Sequence, residues 1–115
     1  DSVFLKKINL KDFKLTFRSK YRAADIEYKK GSLVPGGMFE ISKSDEKKLD
    51  VYEDYPILYK KYYFTYQKKQ IMTYTMLKKT SFMFPTERYL NVIKKGYKDC
   101  NLDEKYLKKA LMPSW

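Results

Sequence analysis

The alternation of apolar and polar positions changes period along this chain, and the changes mark its elements. Residues Asp12-Phe13-Lys14-Leu15-Thr16-Phe17-Arg18 alternate with period two, the pattern of a half-buried strand. Ala23 to Tyr28 predicts a second short strand that ends at the turn signal Lys30-Gly31-Ser32. Val34 to Ile41 predicts a third, and Pro35 with Gly36-Gly37 pushes its start to a sheet edge or to a close backbone approach. The period then becomes helical. Ser42, followed three residues later by Asp45, makes a capping-box-like start. The spacing beyond it predicts a helix from Ser44 to about Glu53 with Leu49 and Tyr52 facing the core. Pro56 stops this helix, because the residue before a proline is biased to extended geometry.

Two strands rich in Tyr, Phe, Thr and Ile follow, Leu58 to Tyr66 and Ile71 to Leu77, joined across Gln67-Lys68-Lys69. Two helices close the chain. Thr86 caps the first, from Glu87 to Lys95, with Tyr89, Leu90, Ile93 and Tyr97 inward and Gly96 near its end. Asp103 caps the second, with Tyr106, Leu107, Ala110 and Leu111 inward and Pro113 beyond it. Three strands, a helix, two strands and two helices make an α+β arrangement in one domain, residues 1–115.

Composition narrows the chemistry more than the partners. The 43% apolar content, with 12 Tyr and 7 Phe, is enough for a core and argues against disorder. The chain has no histidine, which excludes Ser-His-Asp and Cys-His nucleophile systems and imidazole metal sites. The lone Cys100 excludes an intrachain disulfide and a multi-thiolate zinc site, and no basic His neighbour activates it. No metal and no cofactor are expected. A single thiol, no membrane-length apolar run and no signal-peptide pattern fit a cytoplasmic protein. The net charge of +11 invites nucleic acid as a partner, yet the only arginines are Arg18, Arg22 and Arg88 and the lysines are scattered doublets. A solvated lysine surface is the better account, and nucleic acid is not an expected partner.

What remains is carboxylates, tyrosines, lysines and backbone amides. Leu49-Asp50-Val51-Tyr52-Glu53-Asp54-Tyr55-Pro56 places three carboxylates at a helix end, where the helix dipole disfavours anions. Glu53 falls on the edge of the Leu49/Tyr52 stripe, where partial burial raises a carboxyl pKa and suits it to moving a proton. The plainer account is a solvated carboxylate paired with Lys60 or Lys61. Tyr52, Tyr55, Tyr62, Tyr63 and Tyr66 read as core and surface aromatics, and Met72, Met76, Met83 and Met112 as gap-fillers.

The same run, Leu49-Asp50-x-Tyr52-Glu53-x-Tyr55-Pro56 and then Tyr59, resembles the γ-glutamylcyclotransferase-like family in its small avirulence-induced-gene-like branch. Phe13-Lys14-Leu15, Ala24-Asp25-Ile26 and Val34-Pro35-Gly36-Gly37-Met38-Phe39-Glu40-Ile41 are similar to its early strands. Pro85-Thr86-Glu87-Arg88-Tyr89-Leu90, with Ile93, Gly96-Tyr97 and Leu102-Asp103, is similar to its C-terminal helices. The resemblance implies a small mixed β-barrel of about five to six strands with flanking helices and a cavity at one mouth. It implies a small-molecule γ-glutamyl substrate, closed to 5-oxoproline with release of an amine. Glu53 would be the general acid/base, with Tyr89 and Tyr59 binding the substrate. The alternative is a non-catalytic member that binds a small molecule or peptide in the barrel mouth. Nothing in the sequence sets an oligomeric state.

Two departures stand out. The family's Tyr-Gly-Ser-Asn-type loop, whose amides hold the γ-glutamyl group, does not occur between Asp1 and Trp115. The chain opens at Asp1 and not at a methionine, so this loop and a first barrel strand are expected ahead of it. Asp54 stands where many relatives have glycine, and it is expected to face solvent.

Overall fold

β1 (Ser2–Arg18) and β2 (Ala23–Ile41) form one long antiparallel hairpin in the computed structural model, which describes residues 2–112. The turn between them carries Ser19 and Arg22 at positive φ and closes with a 2.9 Å bond from the Arg22 N–H to the Ser19 carbonyl. The predicted strands at 12–18 and 23–28 are the paired ends of this hairpin. The predicted break at Lys30-Gly31-Ser32 is instead a bulge inside a continuous β2. Residues 29–32 stand opposite Asp12 alone, between the pairs Lys11 with Leu33 and Phe13 with Tyr28. Gly31 takes φ +88° there, and its N–H finds Asp12 Oδ1 at 3.0 Å in place of a ladder partner. The close approach expected near Gly36-Gly37 occurs at Gly37, where a Cβ would come within 2.9 Å of Cys100 Sγ.

α1 (Lys43–Tyr52) starts as its cap predicts, with the Ser42 hydroxyl accepting from the Asp45 N–H at 3.1 Å. Its expected inward face does not exist. No residue of α1 is buried; Leu49 is 36% exposed and Tyr52 80%. The helix rests on polar side chains from the next hairpin and not on the apolar core. β3 (Tyr59–Tyr66) and β4 (Lys69–Met76) form that hairpin. Gln67 and Lys68, both at positive φ, make a two-residue turn of the kind that matches strand twist.

The chain then returns to β1. Phe82 bridges Arg18, and the Met83 N–H donates to the Phe17 carbonyl at 2.9 Å. α2 (Glu87–Asp99) is capped by Thr86, which accepts from the Tyr89 N–H, and it runs through Gly96 to end at Cys100 instead of stopping at Lys95. α3 (Lys105–Ala110) is short, and its N-cap is Glu104, which makes no side-chain capping bond, instead of the predicted Asp103. Asp103 Oδ1 accepts the Lys105 N–H at 3.0 Å from one position earlier. Pro113 lies outside the described residues. The inward face of α2 is as expected and that of α3 in part: Leu90, Tyr97, Leu107 and Ala110 bury against Phe17, with Tyr89, Ile93 and Leu111 packed around them. Tyr106 is only partly buried under the Lys105 and Lys109 ammonium groups and does not join that core.

The described residues do not close the expected barrel of five to six strands. They form two separate two-stranded sheets, β1-β2 and β3-β4. The facing strands β2 and β4 are joined at one end by side chains. Asp25, 2% exposed, accepts the Met76 N–H at 2.8 Å and the Thr75 hydroxyl at 2.9 Å on Oδ1. Its Oδ2 takes Lys79 Nζ at 2.7 Å. Arg18 Nε lies 3.2 Å from that oxygen, an ion pair whose angle makes no hydrogen bond. Arg18 also reaches the Thr80 carbonyl at 3.1 Å and the Glu27 carboxylate. Farther along, an apolar groove of about 360 Å³ lined by residues including Ile8, Val34, Ile41, Phe64, Ile71 and Met72 separates the hairpins, so no ladder forms across it.

A buried carboxylate with this many donors is stable only as a set. Asp25→Ala leaves Arg18 and Lys79 without their shared anion and is expected to cost about 3–5 kcal/mol, the usual cost of breaking a buried pair. Urea unfolding measures this directly. A midpoint equal to that of the parent protein contradicts the assignment.

Candidate functional site

The peptide next to Asp25 organises a cavity. Tyr59, the first residue of β3, donates its hydroxyl to the Ala24 carbonyl at 2.6 Å. The Ala24 N–H donates to the Tyr89 hydroxyl oxygen at 3.1 Å. Tyr89 comes from the first turn of α2 and stands edge-on to Phe17, with ring centroids 6.4 Å apart. The two phenols therefore offer opposite polarities. Tyr59 has spent its proton on the backbone and keeps its lone pairs, whereas Tyr89 already accepts and keeps its proton to donate.

Glu53 enters from α1. It is the C-cap residue, fixed by its N–H donating to the Leu49 carbonyl at 2.8 Å. Glu53, Tyr59 and Tyr89 line one cavity of about 370 Å³, with Ala23 and Leu58 in its wall. The structure thus brings together all three residues singled out in the sequence, from three separate elements. Tyr21, Tyr52 and Asp54 complete the lining. Tyr52 was expected in the core and is a mouth residue instead.

Burial pushes the Glu53 carboxyl above its ordinary pKa. The ion pair with Lys60 or Lys61 that the plainer account requires is not made: Lys61 holds Glu46 and Asp50, and no ion pair reaches Glu53 among the described residues. Asp54, expected to face solvent, is exposed with its backbone at φ 54° but also lines this cavity beside Glu53. Burial first, and the facing charge of Glu53 among the lesser causes, pushes both the Tyr59 and Tyr89 phenols upward, so both stay protonated near neutrality. Among the described residues no group of three or more His, Cys, Asp or Glu side chains is placed to hold a metal ion. No described helix is long and apolar enough to cross a membrane. Cys100 is a free thiol at the end of α2, away from this cavity.

Sequence reasoning missed the Ala24 peptide, which has no side chain to advertise it. It also missed Thr75 and Lys79, whose types and spacing carry no distinctive signal. The Ala24-Asp25-Ile26 triplet was legible only as strand.

The family profile described as Gamma-glutamyl cyclotransferase, AIG2-like, matches residues 2–97. No curated protein sequence is significantly similar to the chain. Among solved structures, the chain is similar to an uncharacterized protein from Homo sapiens, with a TM-score of 0.72 and 24% identity over 95% of this chain and 73% of that one. It is similar also to a gamma-glutamyl cyclotransferase, with a TM-score of 0.71 and 24% identity over the same shares. At that identity the two structures establish the α+β fold.

The raised pKa of Glu53 has a consequence for stability with a definite sign. The folded protein holds this proton more tightly than the unfolded chain does, so the contribution of Glu53 is fully present below its ordinary value of 4.5. It is lost as pH rises through the folded-state value, and above that the ionised carboxyl opposes folding. Glu53→Gln is therefore expected to raise the Tm at pH 7 and to match the parent protein below pH 4.5. Thermal melts across this range check it. A variant less stable than its parent at pH 7 contradicts the burial of an unpaired carboxyl.

Proposed function

We propose, from the premise that the chain belongs to the AIG2-like γ-glutamyl cyclotransferase family, that it converts a γ-glutamyl amine or γ-glutamyl amino acid to 5-oxoproline and a free amine. Glu53 is the general acid/base. The observation that carries this reading is the meeting of a half-buried, unpaired carboxyl with two phenols of opposite hydrogen-bond polarity in one cavity.

The substrate's α-amino nitrogen attacks its own γ-carbonyl carbon. A carbon–nitrogen bond forms to close the lactam, and the bond to the departing amine breaks. Glu53 accepts the proton from the attacking nitrogen and returns it to the leaving one, so the carboxylate is regenerated and water is not consumed. A carboxyl with an upshifted pKa is better matched to both halves of this transfer at neutral pH. Ring closure is intramolecular, so holding the substrate folded supplies much of the acceleration. The free proton of Tyr89 suits a substrate carbonyl or carboxylate oxygen, and the free lone pairs of Tyr59 suit an N–H. Residues 1–115 do not contain the Tyr-Gly-Ser-Asn-type loop whose backbone amides would supply oxyanion donors for this reaction. The net charge of +11 favours the approach of anionic γ-glutamyl substrates.

Incubating the full chain with γ-glutamyl dipeptides and γ-glutamyl-ε-lysine, and measuring 5-oxoproline, tests the proposal. Release of 5-oxoproline is expected, and Glu53→Gln is expected to lower kcat by about 100-fold or more, the usual weight of a general acid/base. Turnover by Glu53→Gln at the parent rate overturns the mechanism. Saturable binding without turnover supports the non-catalytic alternative. The acid limb of the kcat/KM profile should lie above the ordinary glutamate pKa, because Glu53 must be ionised to accept the proton.

A further inference from the structure

α1 delivers Glu53 to the cavity yet buries none of its own residues. A helix without an apolar face against the core needs another anchor. The anchor here is polar and comes from the β3–β4 hairpin. Lys61 and Tyr74 are register partners across that hairpin, so their side chains rise from one face. Lys61 Nζ lies 2.6 Å from Glu46 Oε2 and 3.1 Å from Asp50 Oδ2, and the Tyr74 hydroxyl donates to the other Asp50 oxygen at 2.6 Å. Glu46 and Asp50 are one turn apart on α1, so a single ammonium spans both.

The grip brackets Glu53 on both sides. Asp50 precedes it by three residues. Beyond it, the Tyr55 N–H donates to the Asp50 carbonyl at 2.8 Å, and the Tyr55 ring lies under the same ammonium, 4.6 Å from its centroid. Exposed ion pairs contribute little, but the Lys61 side chain is only 13% exposed and its bonds are charge-assisted.

We infer that Lys61 and Tyr74 are positioning residues, which dock α1 through Glu46 and Asp50 and thereby hold Glu53 at the cavity wall. The function of Glu53 in this inference rests on the cyclotransferase reading; the docking does not. The Tyr74 hydrogen bond, and after it Lys61, outweighs partial burial and holds the Asp50 carboxyl below the ordinary carboxylate range. Glu46 first, then Asp50, pushes the Lys61 ammonium upward. Asp50 and Lys61 are thus in their bonding states at neutral pH.

The test compares Lys61→Met, which keeps the stem and removes the charge, with Tyr74→Phe and Lys61→Arg in the full chain. The deciding readout is the titration midpoint of the Glu53 carboxyl carbon by NMR, which needs no substrate. In Lys61→Met the midpoint is expected to fall to the ordinary glutamate value, and amide exchange along α1 to quicken while β1 and α2 stay protected. kcat should drop about tenfold with KM within about twofold, the loss of roughly one well-made charged hydrogen bond. Lys61→Arg should restore all three. Should Lys61→Met not fold, Tyr74→Phe, which lacks only one oxygen, carries the same expectations at smaller size. A Glu53 midpoint unchanged by these substitutions overturns the inference. A parent protein that releases no 5-oxoproline overturns the cyclotransferase reading instead, and the midpoint still decides the docking.

Discussion

The Asp25 carboxylate, sealed from solvent between the two hairpins, sets the geometry on which everything else depends. β2 and β4 share no backbone ladder, so nothing regular fixes one against the other. Isolated in the interior, a carboxylate would cost several kcal/mol. It is tolerated because the Met76 N–H, the Thr75 hydroxyl and Lys79 converge on it and Arg18 lies against it. These groups come from β1, β4 and the segment after β4, so β2 cannot slide along β4 without leaving charges unpartnered. An apolar seam would tolerate such slippage far better than this directional one.

The candidate cavity is the neighbour of that junction. Fixing Asp25 fixes the Ala24 peptide, whose N–H and carbonyl then orient Tyr89 and Tyr59. One peptide thus imposes a donor and an acceptor on the cavity wall, at no cost in side-chain freedom at the moment of binding. Two different kinds of packing supply the remaining parts. α2 arrives on an apolar face against Phe17, which holds Tyr89 firmly. α1 arrives on ion pairs and a phenol hydrogen bond, which hold Glu53. The acid/base group of the proposed reaction is therefore carried by the more weakly anchored element.

Legibility in the sequence followed the range of the forces involved. The strand at 12–18, the Ser42 and Thr86 caps and the inward face of α2 are local patterns, and the chain states them locally. Gly31 misled because a turn and a bulge require the same positive φ; only pairing with β1, distant in sequence, distinguishes them. Residues 2–11 lack period-two alternation and become strand through their pairing to β2. Leu49 and Tyr52 have helical spacing but neither is buried, so periodicity alone misplaced them. The barrel expected from family resemblance gives way to two sheets because an apolar groove parts β2 from β4. Glu53, Tyr59 and Tyr89 were recoverable through that resemblance, since no spacing rule links residues so far apart in the chain.

The most direct measurement is a crystal structure of the full chain grown with 5-oxoproline or a non-cleavable γ-glutamyl amine. The ligand is expected in the cavity of Glu53, Tyr59 and Tyr89. Its ring or α-amino nitrogen should stand within hydrogen-bond reach of the Glu53 carboxyl, about 2.6–3.2 Å, and a ligand oxygen should accept from Tyr89. A ligand seated in the apolar groove between the hairpins, with the Glu53 cavity empty, would contradict it.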